Sequence, residues 1–375
     1  AREEGVRASG PTRGTRIKLK LGARSDGTFT AGEATLHYEG GAFGGSSVMA
    51  GCMTLFAPYG FPHVRSTGYD VMVNKPKGAA YRAPGAPMAA FALETVIDEL
   101  AERLEVDPVD LRLQNAAKEG SLASFGPRYR RIGCSETLEA LRDHPHYSAP
   151  LEANQGRGVA VGFWFNAGMQ SSASVNVNED GTVQVVSPNP DIGGSRVSLA
   201  LMAAEELGID VEQVRPVVAD TETVGYSDLT GGSRVTFATG MAVVEAARSV
   251  VEQLRERAAK VWGIDVDQVE WSEGQALALQ EGDEHDPLSL ASLAASASST
   301  GGTICGNVSL NARGPGPGFA THVCDVEVDP ETGKVEVLRY AAVQDVGKAI
   351  HPCLLYTSPS PRDQRGSGVG GCAWK

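Results

Sequence analysis

The chain has 375 residues, 42% of them hydrophobic, and a formal net charge of −13. It is therefore a globular chain long enough for two or three domains, and its acidity excludes a nucleic-acid partner, because phosphate binding needs a basic surface. Since no apolar run reaches the roughly 18 residues of a membrane span, none is predicted.

The cysteines and histidines point away from a protein-bound metal. None of the six cysteines forms a Cys-x-x-Cys pair, and no histidine cluster has zinc spacing. We predict small buried thiols in a reducing cytoplasm and no metal ligand from the protein. Because the chain begins at Ala1 without methionine, a signal peptide lost with a missing segment would leave a periplasmic location open.

The first part of the chain is predicted to form strands and then helices. Alternating hydrophobic residues predict strands over 15–40 and 64–82. From Pro87 the period becomes helical, and Asp107 is predicted to cap a second helix that Gly120 ends. The predicted apolar face of the first helix consists of Phe91, Leu93, Val96, Ile97, Leu100 and Leu104.

The composition divides the chain into two predicted domains. We predict a first domain over 1–120, a connector of mixed glycine, proline and charge over 121–157, and a second domain over 158–352. Within the second domain, strands are predicted over 159–165 and 172–187. Strands and helices alternate without a regular repeat, which predicts a mixed α/β (α+β) fold.

One phrase occurs twice in the second domain. Gly-Gly-Ser-Arg-Val stands at 193–197 and again at 231–235, each time before a helical pattern. Two glycines allow the backbone to approach a bulky ligand, and a serine can cap a helix whose first N–H groups point outward. We therefore predict two helix N-termini, with serine caps, facing the same anion or polar cofactor.

A rigid turn is predicted between strand and helix at Tyr81–Pro87. Pro84 and Pro87 fix the backbone, and Gly85 permits close approach. An arginine held there, Arg82, can present its guanidinium to a phosphate or a polar ring. The alternative is a structural arginine that binds loop carbonyl groups.

The last residues depart from the pattern before them. Residues 353–375 begin with a serine- and proline-rich stretch without an apolar period. This stretch resembles the translation of an adapter used in transposon-based sequencing libraries. We therefore predict an artefactual tail after Pro352, with an ordinary disordered tail as the alternative.

Six segments occur in a specific order along the chain. They are Tyr81–Pro87, Phe91–Ala101, Asp107–Asn115, Asp191–Arg196, Thr230–Arg234 and Asp345–Gly347, the last of which is followed by His351 and Pro352. Together they resemble the molybdopterin-binding subunit of the xanthine dehydrogenase and aldehyde oxidase family, over residues 1–352. The resemblance implies two mixed sheet-and-helix domains of the aldehyde oxidase molybdopterin-binding type, incomplete at both ends.

The resemblance also implies an activity, cofactors and partners. The family oxidises an aldehyde or an N-heterocycle with oxygen derived from water, using molybdenum held by molybdopterin, with the cytosine dinucleotide form as one option. Electrons pass to iron–sulfur clusters and FAD, which are expected on partner chains. The general-base glutamate of the family is expected beyond Pro352, so we predict no catalytic residue here and an inactive fragment.

Site residues are transferred from the family position by position. Arg82, Gly193, Gly194, Gly232 and Ser233 correspond to cofactor-binding residues of the family. The substrate pocket corresponds to Ala83, Pro84 and Gly85. Gly194 stands where many members have glutamine, and Pro84 stands where xanthine-oxidising members have an aromatic ring. The Cys-Ser-Phe-Arg loop of carbon monoxide dehydrogenases is absent, so carbon monoxide oxidation is not predicted.

Two glycine-rich segments are not assigned to the cofactor or the base. Gly40–Gly45 resembles the pterin loop of the family, but Arg2–Glu4 resembles a segment that follows that loop, so we predict a turn near the pocket. Gly368–Gly371 resembles the segment of the base but carries Gly371 in place of glutamate, and it lies in the predicted foreign tail.

Two other functions stay open from the sequence. One is a reductive member of the same superfamily, similar to hydroxybenzoyl-CoA reductases. The other is a nucleotide- or phosphate-binding module without redox chemistry, which the Gly-Gly-Ser starts alone would permit. No Gly-x-x-x-x-Gly-Lys-Ser/Thr segment supports that second alternative.

Overall fold

The computed structural model describes residues 14–80, 82–218, 222, 224–279, 285–313 and 316–352. Elements are numbered along the chain. The helices are α1 (Val48–Leu55), α2 (Ala86–Leu104), α3 (Pro108–Asn115), α4 (Cys134–Arg142), α5 (Pro145–Ser148), α6 (Ser195–Leu207), α7 (Gly240–Trp262), α8 (Leu290–Ala295) and α9 (Ala297–Thr300). The strands are β1 (Thr15–Ala23), β2 (Phe29–Gly41), β3 (His63–Met72), β4 (Gln155–Trp164), β5 (Met169–Val177), β6 (Val183–Ser187), β7 (Val214–Val218), β8 (Val269–Ser272), β9 (Gln275–Ala278), β10 (Leu288–Ser289), β11 (Cys305–Ala312), β12 (Gly318–Val328) and β13 (Val335–Asp345).

The first compact unit contains residues up to Phe165 together with Pro317–Gly347. One sheet has the order β1-β2-β3, with β2 antiparallel to β1 and parallel to β3. A second, antiparallel sheet has the order β13-β12-β4. The two sheets and the helices α1 to α4 share one apolar core. Its fully buried members include Leu36, Phe56, Leu93, Ile97 and Phe319.

A buried ion pair joins α2 to α3 within this core. Glu94 and Arg112 expose 5% and 0% of their side chains, and Arg112 Nε lies 2.9 Å from Glu94 Oε2. Glu94 also accepts hydrogen bonds from the Tyr59 hydroxyl at 2.8 Å and from the Val161 backbone N–H at 2.9 Å. Both charged residues come from segments that carry the family resemblance, so this part of the resemblance reflects the core.

The second unit contains Asn166–Gly316 and residues 348–352 of the described chain. Its larger sheet has the order β11-β5-β6-β7, and β6 and β7 are parallel because α6 crosses between them. The small sheet β10-β9-β8 completes the strands. Helix α7 packs on β5 and β11, and Gly306 lies so close that a Cβ there would be 2.0 Å from the Ala246 carbonyl oxygen.

The two mixed units confirm the predicted fold class, while several element bounds differ. The second predicted strand region ends at Met72 and not at 82. Helix α3 begins with the Asp107 cap as predicted, but it ends at Asn115 and not at Gly120. Phe91 is 77% exposed, because the buried stripe of α2 runs through Ala89, Leu93, Ile97 and Ala101.

The compact units also divide the chain differently from the predicted domains 1–120 and 158–352. The predicted connector 121–157 contains α4 and α5, and both belong to the first unit. Its Gly133 N–H donates to Asp345 Oδ2 at 2.7 Å, which ties the start of α4 to the end of β13. Strands β12 and β13 return to the first unit because β12 pairs with β4 along its length.

Candidate functional site

The turn after the first sheet holds the predicted substrate-pocket residues. Arg82 is exposed, Ala83 has a positive φ of 48°, and Gly85 has a φ of 87° at the start of α2. A Cβ on Gly85 would lie 2.3 Å from the Ser47 carbonyl oxygen, so only glycine fits there. Gly85 is therefore required by packing against α1. Tyr81 lies outside the described residues.

Pro84 borders a cavity of about 240 Å³ in the first unit. Gly45, Ser46 and Ser47 line the same cavity, together with Met88 from α2. The end of the glycine-rich Gly40–Gly45 loop therefore lies beside the predicted substrate-pocket turn.

Asp70, at the end of β3, fixes the glycine-rich loop. Its carboxylate accepts the Gly45 N–H at 2.5 Å and the Ser46 N–H at 3.1 Å. The hydrogen bond from the Gly45 backbone is the main cause that lowers the pKa of Asp70. Lys77 donates to the Gly44 carbonyl oxygen on the other side. Sequence analysis did not single out Asp70, which has no motif of its own.

The first Gly-Gly-Ser begins α6 in a way that differs from the prediction. Gly193 and Gly194 both have positive φ, 64° and 78°, and Gly194 rather than Ser195 is the N-cap. The Asp191 carboxylate accepts the Arg196 backbone N–H at 3.1 Å and the Arg196 Nε–H at 3.0 Å. Partial burial opposes ionisation of Asp191, but these hydrogen bonds outweigh it and lower its pKa. The Asp191 carboxylate therefore satisfies one of the first backbone N–H groups of α6, that of Arg196.

The second Gly-Gly-Ser has a different structure. Ser233 is exposed with a φ of 57° and is not a cap, because a π-helical turn, Val235–Thr239, precedes α7. Arg234 is fully buried, and its guanidinium donates to the carbonyl oxygens of Gly168 at 2.7 Å and Asp228 at 2.9 Å, and also to that of Gln170. The arginine of the first copy, Arg196, is exposed, so the same residue type has different structural roles in the two copies.

The glycines of the two copies also differ in what surrounds them. A Cβ on Gly232 would lie 2.7 Å from the Ala167 Cβ, so this glycine is required by internal packing. A Cβ on Gly193 would meet nothing within 4 Å, so Gly193 borders open space. Unlike Gly232, Gly193 therefore has room for a ligand beside its backbone.

Asn189 joins the two copies within the second unit. It is 3% exposed, and its Oδ1 accepts the Thr239 hydroxyl at 2.6 Å. Its Nδ2 donates to Thr230 Oγ1 at 3.3 Å, directly before the second glycine pair. Sequence analysis missed Asn189, although it stands between two prolines ahead of the first glycine pair.

Gly193, Gly194, Gly232 and Ser233 belong to the second unit, where the hydrogen bond from Asn189 to Thr230 joins the segments that precede the two glycine pairs, and Arg82–Gly85 belong to the first unit. Within the described ranges, no group of three histidine, cysteine or acidic side chains is arranged to hold a metal ion. Over the same ranges, no helix has the length and apolar character needed to cross a membrane. The segment Gly368–Gly371 lies outside the described residues.

Comparison with known proteins identifies two domain models. Residues 1–116 and 138–357 each match a model described as a molybdopterin cofactor-binding domain. The chain is 31% identical over 306 residues to the molybdenum-binding subunit of an aldehyde oxidoreductase from Escherichia coli O157:H7, covering 77% of the chain and 39% of that protein. It is 28% identical over 379 residues to a putative xanthine dehydrogenase molybdenum-binding subunit of Escherichia coli K12, covering 94% of the chain and 50% of that protein.

Solved structures show the same fold. Quinoline 2-oxidoreductase from Pseudomonas putida 86 superposes with a TM-score of 0.86 at 22% identity, over 95% of this chain and 50% of that one. Aldehyde oxidoreductase from Desulfovibrio gigas superposes with a TM-score of 0.73 at 24% identity, over 92% of this chain and 38% of that one. The chain spans half or less of the length of these relatives.

Proposed function

The chain belongs to the molybdopterin cofactor-binding family of the xanthine dehydrogenase and aldehyde oxidoreductase molybdenum-binding subunits, and on that basis we propose that it is part of the catalytic subunit of a molybdenum hydroxylase. The reaction is the oxidation of an aldehyde or an N-heterocycle with oxygen from water. The observation that carries this proposal is the pair of cofactor-binding domain matches, over residues 1–116 and 138–357.

The residues present fit a large polar cofactor. The backbone at Gly193 borders open space, and the exposed Ser233 on the neighbouring loop offers a hydroxyl group. We propose that Gly193, Gly194, Gly232 and Ser233 of the second unit hold molybdopterin through backbone and hydroxyl hydrogen bonds. Arg82 of the first unit is proposed as a cofactor-binding residue because it corresponds in position to the arginine of the family. Molybdopterin, when bound, supplies the molybdenum that exchanges electrons with the substrate.

The contribution of this chain is binding and orientation. The hydrogen bonds from Gly45 and Ser46 to Asp70 hold the glycine-rich loop of the first unit in place before a ligand arrives, which lowers the entropy that binding must overcome. We propose that Pro84 and the cavity beside it select the substrate by shape. Neither Ala83 nor Pro84 carries a side chain that can move a proton, so both are proposed to position the substrate only.

Partners, cofactor form and location are proposed from the same family membership. We propose partner subunits that carry iron–sulfur clusters and FAD, and a cofactor in the molybdopterin or cytosine dinucleotide form. The named relatives are molybdenum-binding subunits, which supports further subunits in general. A cytoplasmic location is proposed because Cys52, Cys134, Cys305 and Cys324 are free thiols.

The experiment is elemental and cofactor analysis of the complete subunit, encoded by the full gene and purified with its natural partners. We expect about one molybdenum per subunit, a pterin after acid release, and oxidation of an aromatic aldehyde or an N-heterocycle. A folded complex without stoichiometric molybdenum would refute the proposal. Reduction of an aromatic thioester without oxidation of any aldehyde would instead favour the reductive alternative.

A further inference from the structure

A series of hydrogen-bonded polar side chains connects residues close in sequence to the two Gly-Gly-Ser segments of the second unit. Ser171, Asn189 and Thr239 are at most 3% exposed. The hydroxyl oxygens of Ser171 and Thr239 lie 2.6 Å apart, and Thr239 Oγ1 lies 2.6 Å from Asn189 Oδ1. Asn189 Nδ2 lies 3.3 Å from Thr230 Oγ1. Four side chains from separate segments are thus connected by three contacts.

The direction of each hydrogen bond in this series is determined by the groups that can donate. The Asn189 carbonyl oxygen can only accept, so the Thr239 hydroxyl donates to it. Because a hydroxyl has one proton, the contact between Ser171 and Thr239 requires Ser171 to donate. The Asn189 amide then donates to Thr230. Removing the Thr239 hydroxyl would take away the 2.6 Å contacts of Asn189 and Ser171 and leave each with a longer contact of 3.3 Å to the Ser227 hydroxyl, which weakens the series.

The backbone places these side chains next to the loops. Asn189 stands just ahead of Asp191–Ser195, and Thr230 directly precedes Gly231. Thr239 ends the π-helical turn Val235–Thr239, which starts two residues after Ser233. A π-turn changes the direction of side chains relative to a regular α-helix and is frequent at functional sites. Here the turn ends at the residue whose hydroxyl contacts Asn189.

We propose that Asn189 and Thr239 are positioning residues that fix the separation of loop A (residues 191–195) and loop B (residues 230–233), so that the loops bind the cofactor as a pair. This inference rests on the proposed function for the identity of the ligand. The coupling of the loops is a property of the chain itself and is measurable without a cofactor. Neither residue is proposed to touch the reacting atoms.

The test uses hydrogen–deuterium exchange of the purified chain, resolved to peptides that contain loop A and loop B. The variant Thr239→Val keeps the side-chain shape and removes the hydroxyl, and Thr239→Ser restores it. We expect Thr239→Val to speed exchange in both loops about fivefold, and Thr239→Ser to return both toward native rates. Thr230→Val, at a less buried position, is expected to speed exchange in loop A, to which Thr230 is connected through its hydrogen bond with Asn189.

Ser172→Ala is the matched control. Ser172 follows Ser171 on strand β5, and its hydroxyl donates to the Gly225 carbonyl oxygen at 2.8 Å rather than to Asn189. We expect this variant to leave exchange in loop A and loop B unchanged. Equal effects of Ser172→Ala and Thr239→Val, or a change confined to loop B in both threonine variants, would overturn the proposal.

A second readout separates positioning from stability. In the complete subunit with its partners, Thr239→Val is expected to lower molybdenum content at least threefold while its unfolding midpoint stays no lower than that of Ser172→Ala. If Thr239→Val speeds exchange in both loops but the unmodified complex takes up no molybdenum, the proposed function is refuted, while the connection between the loops is supported. Native molybdenum content in Thr239→Val would refute the positioning role.

Discussion

Arg112 Nε donates to Glu94 Oε2 over 2.9 Å inside the core of the first unit, where both side chains are almost fully buried. The guanidinium also donates to the Val159 carbonyl oxygen at 2.9 Å, so the pair links α2 and α3 to β4. A buried charge that loses its partner is costly, because water cannot solvate it. The pair is therefore a structural centre of the first unit.

We predict that Glu94→Ala lowers the free energy of unfolding by about 3 kcal/mol, because Arg112 loses its buried partner and keeps only the half-exposed Asp98, whose Oδ1 lies 2.7 Å from Arg112 Nη1. The double variant Glu94→Leu with Arg112→Met is expected to lose less than the sum of the two single variants, since no charge is left buried. Urea denaturation followed by circular dichroism measures all four. Strictly additive losses would contradict this account.

Acid is predicted to destabilise the first unit through Asp325. Its buried carboxylate lies 2.8 Å from Arg157 Nε, 2.9 Å from Arg339 Nη2 and 3.1 Å from His146 Nε2. The hydrogen bond from Arg157 is the main cause that lowers the pKa of Asp325 from 3.8 to about 2. Since the folded pKa lies below the unfolded one, the stabilisation is complete above pH ~4 and is lost as the pH falls through ~2.

This loss amounts to about 2 kcal/mol of unfolding free energy. Urea denaturation between pH 5 and pH 2 measures it. The variant Asp325→Asn is expected to be less stable at pH 5 and to lose correspondingly less on acidification, because it has no carboxylate to protonate. An acid dependence equal to that of the native chain would show that other carboxylates cause the effect.

The two arginines of the repeated phrase form a matched pair for mutation. We predict that Arg234→Ala lowers the unfolding free energy by about 3 kcal/mol, because it removes a fully buried guanidinium that donates to the carbonyl oxygens of Gly168, Gln170 and Asp228. Arg196→Ala should lose less than about 1 kcal/mol, since its pair with Asp191 is on the surface. Thermal and urea unfolding measure both, and equal losses would contradict the difference in burial.

Gly193→Ala tests the open space beside the first glycine pair. Its matched control is Gly263→Ala at the end of α7, because both glycines have a positive φ, 64° and 72°, and neither added Cβ would meet an atom within 4 Å. Both variants should lose about 1 kcal/mol of unfolding free energy from backbone strain. In the complete subunit, only Gly193→Ala is expected to lower molybdenum content. Equal molybdenum content in the two variants would place the cofactor elsewhere.

Local patterns predicted local structure well in this protein. Alternation marked β1 and β2, and the Asp107-Pro108 pair marked the start of α3, because a cap and a fixed φ act within one turn. The motifs identified the family, since their order and spacing can be read from the sequence without knowledge of the fold. Phe91 was wrongly included in the buried face of α2, because the helical period does not show where the edge of that face lies.

The sequence by itself determined the fold class, the family and the positions of the repeated Gly-Gly-Ser. Only the tertiary structure decided what each copy does. Gly193 borders open space whereas Gly232 packs on Ala167, and Arg196 is exposed whereas Arg234 is buried. The same letters acquire different roles because burial and hydrogen-bond partners come from residues distant in sequence. Asn189 shows this most directly, since its partner Thr239 stands 50 residues along the chain.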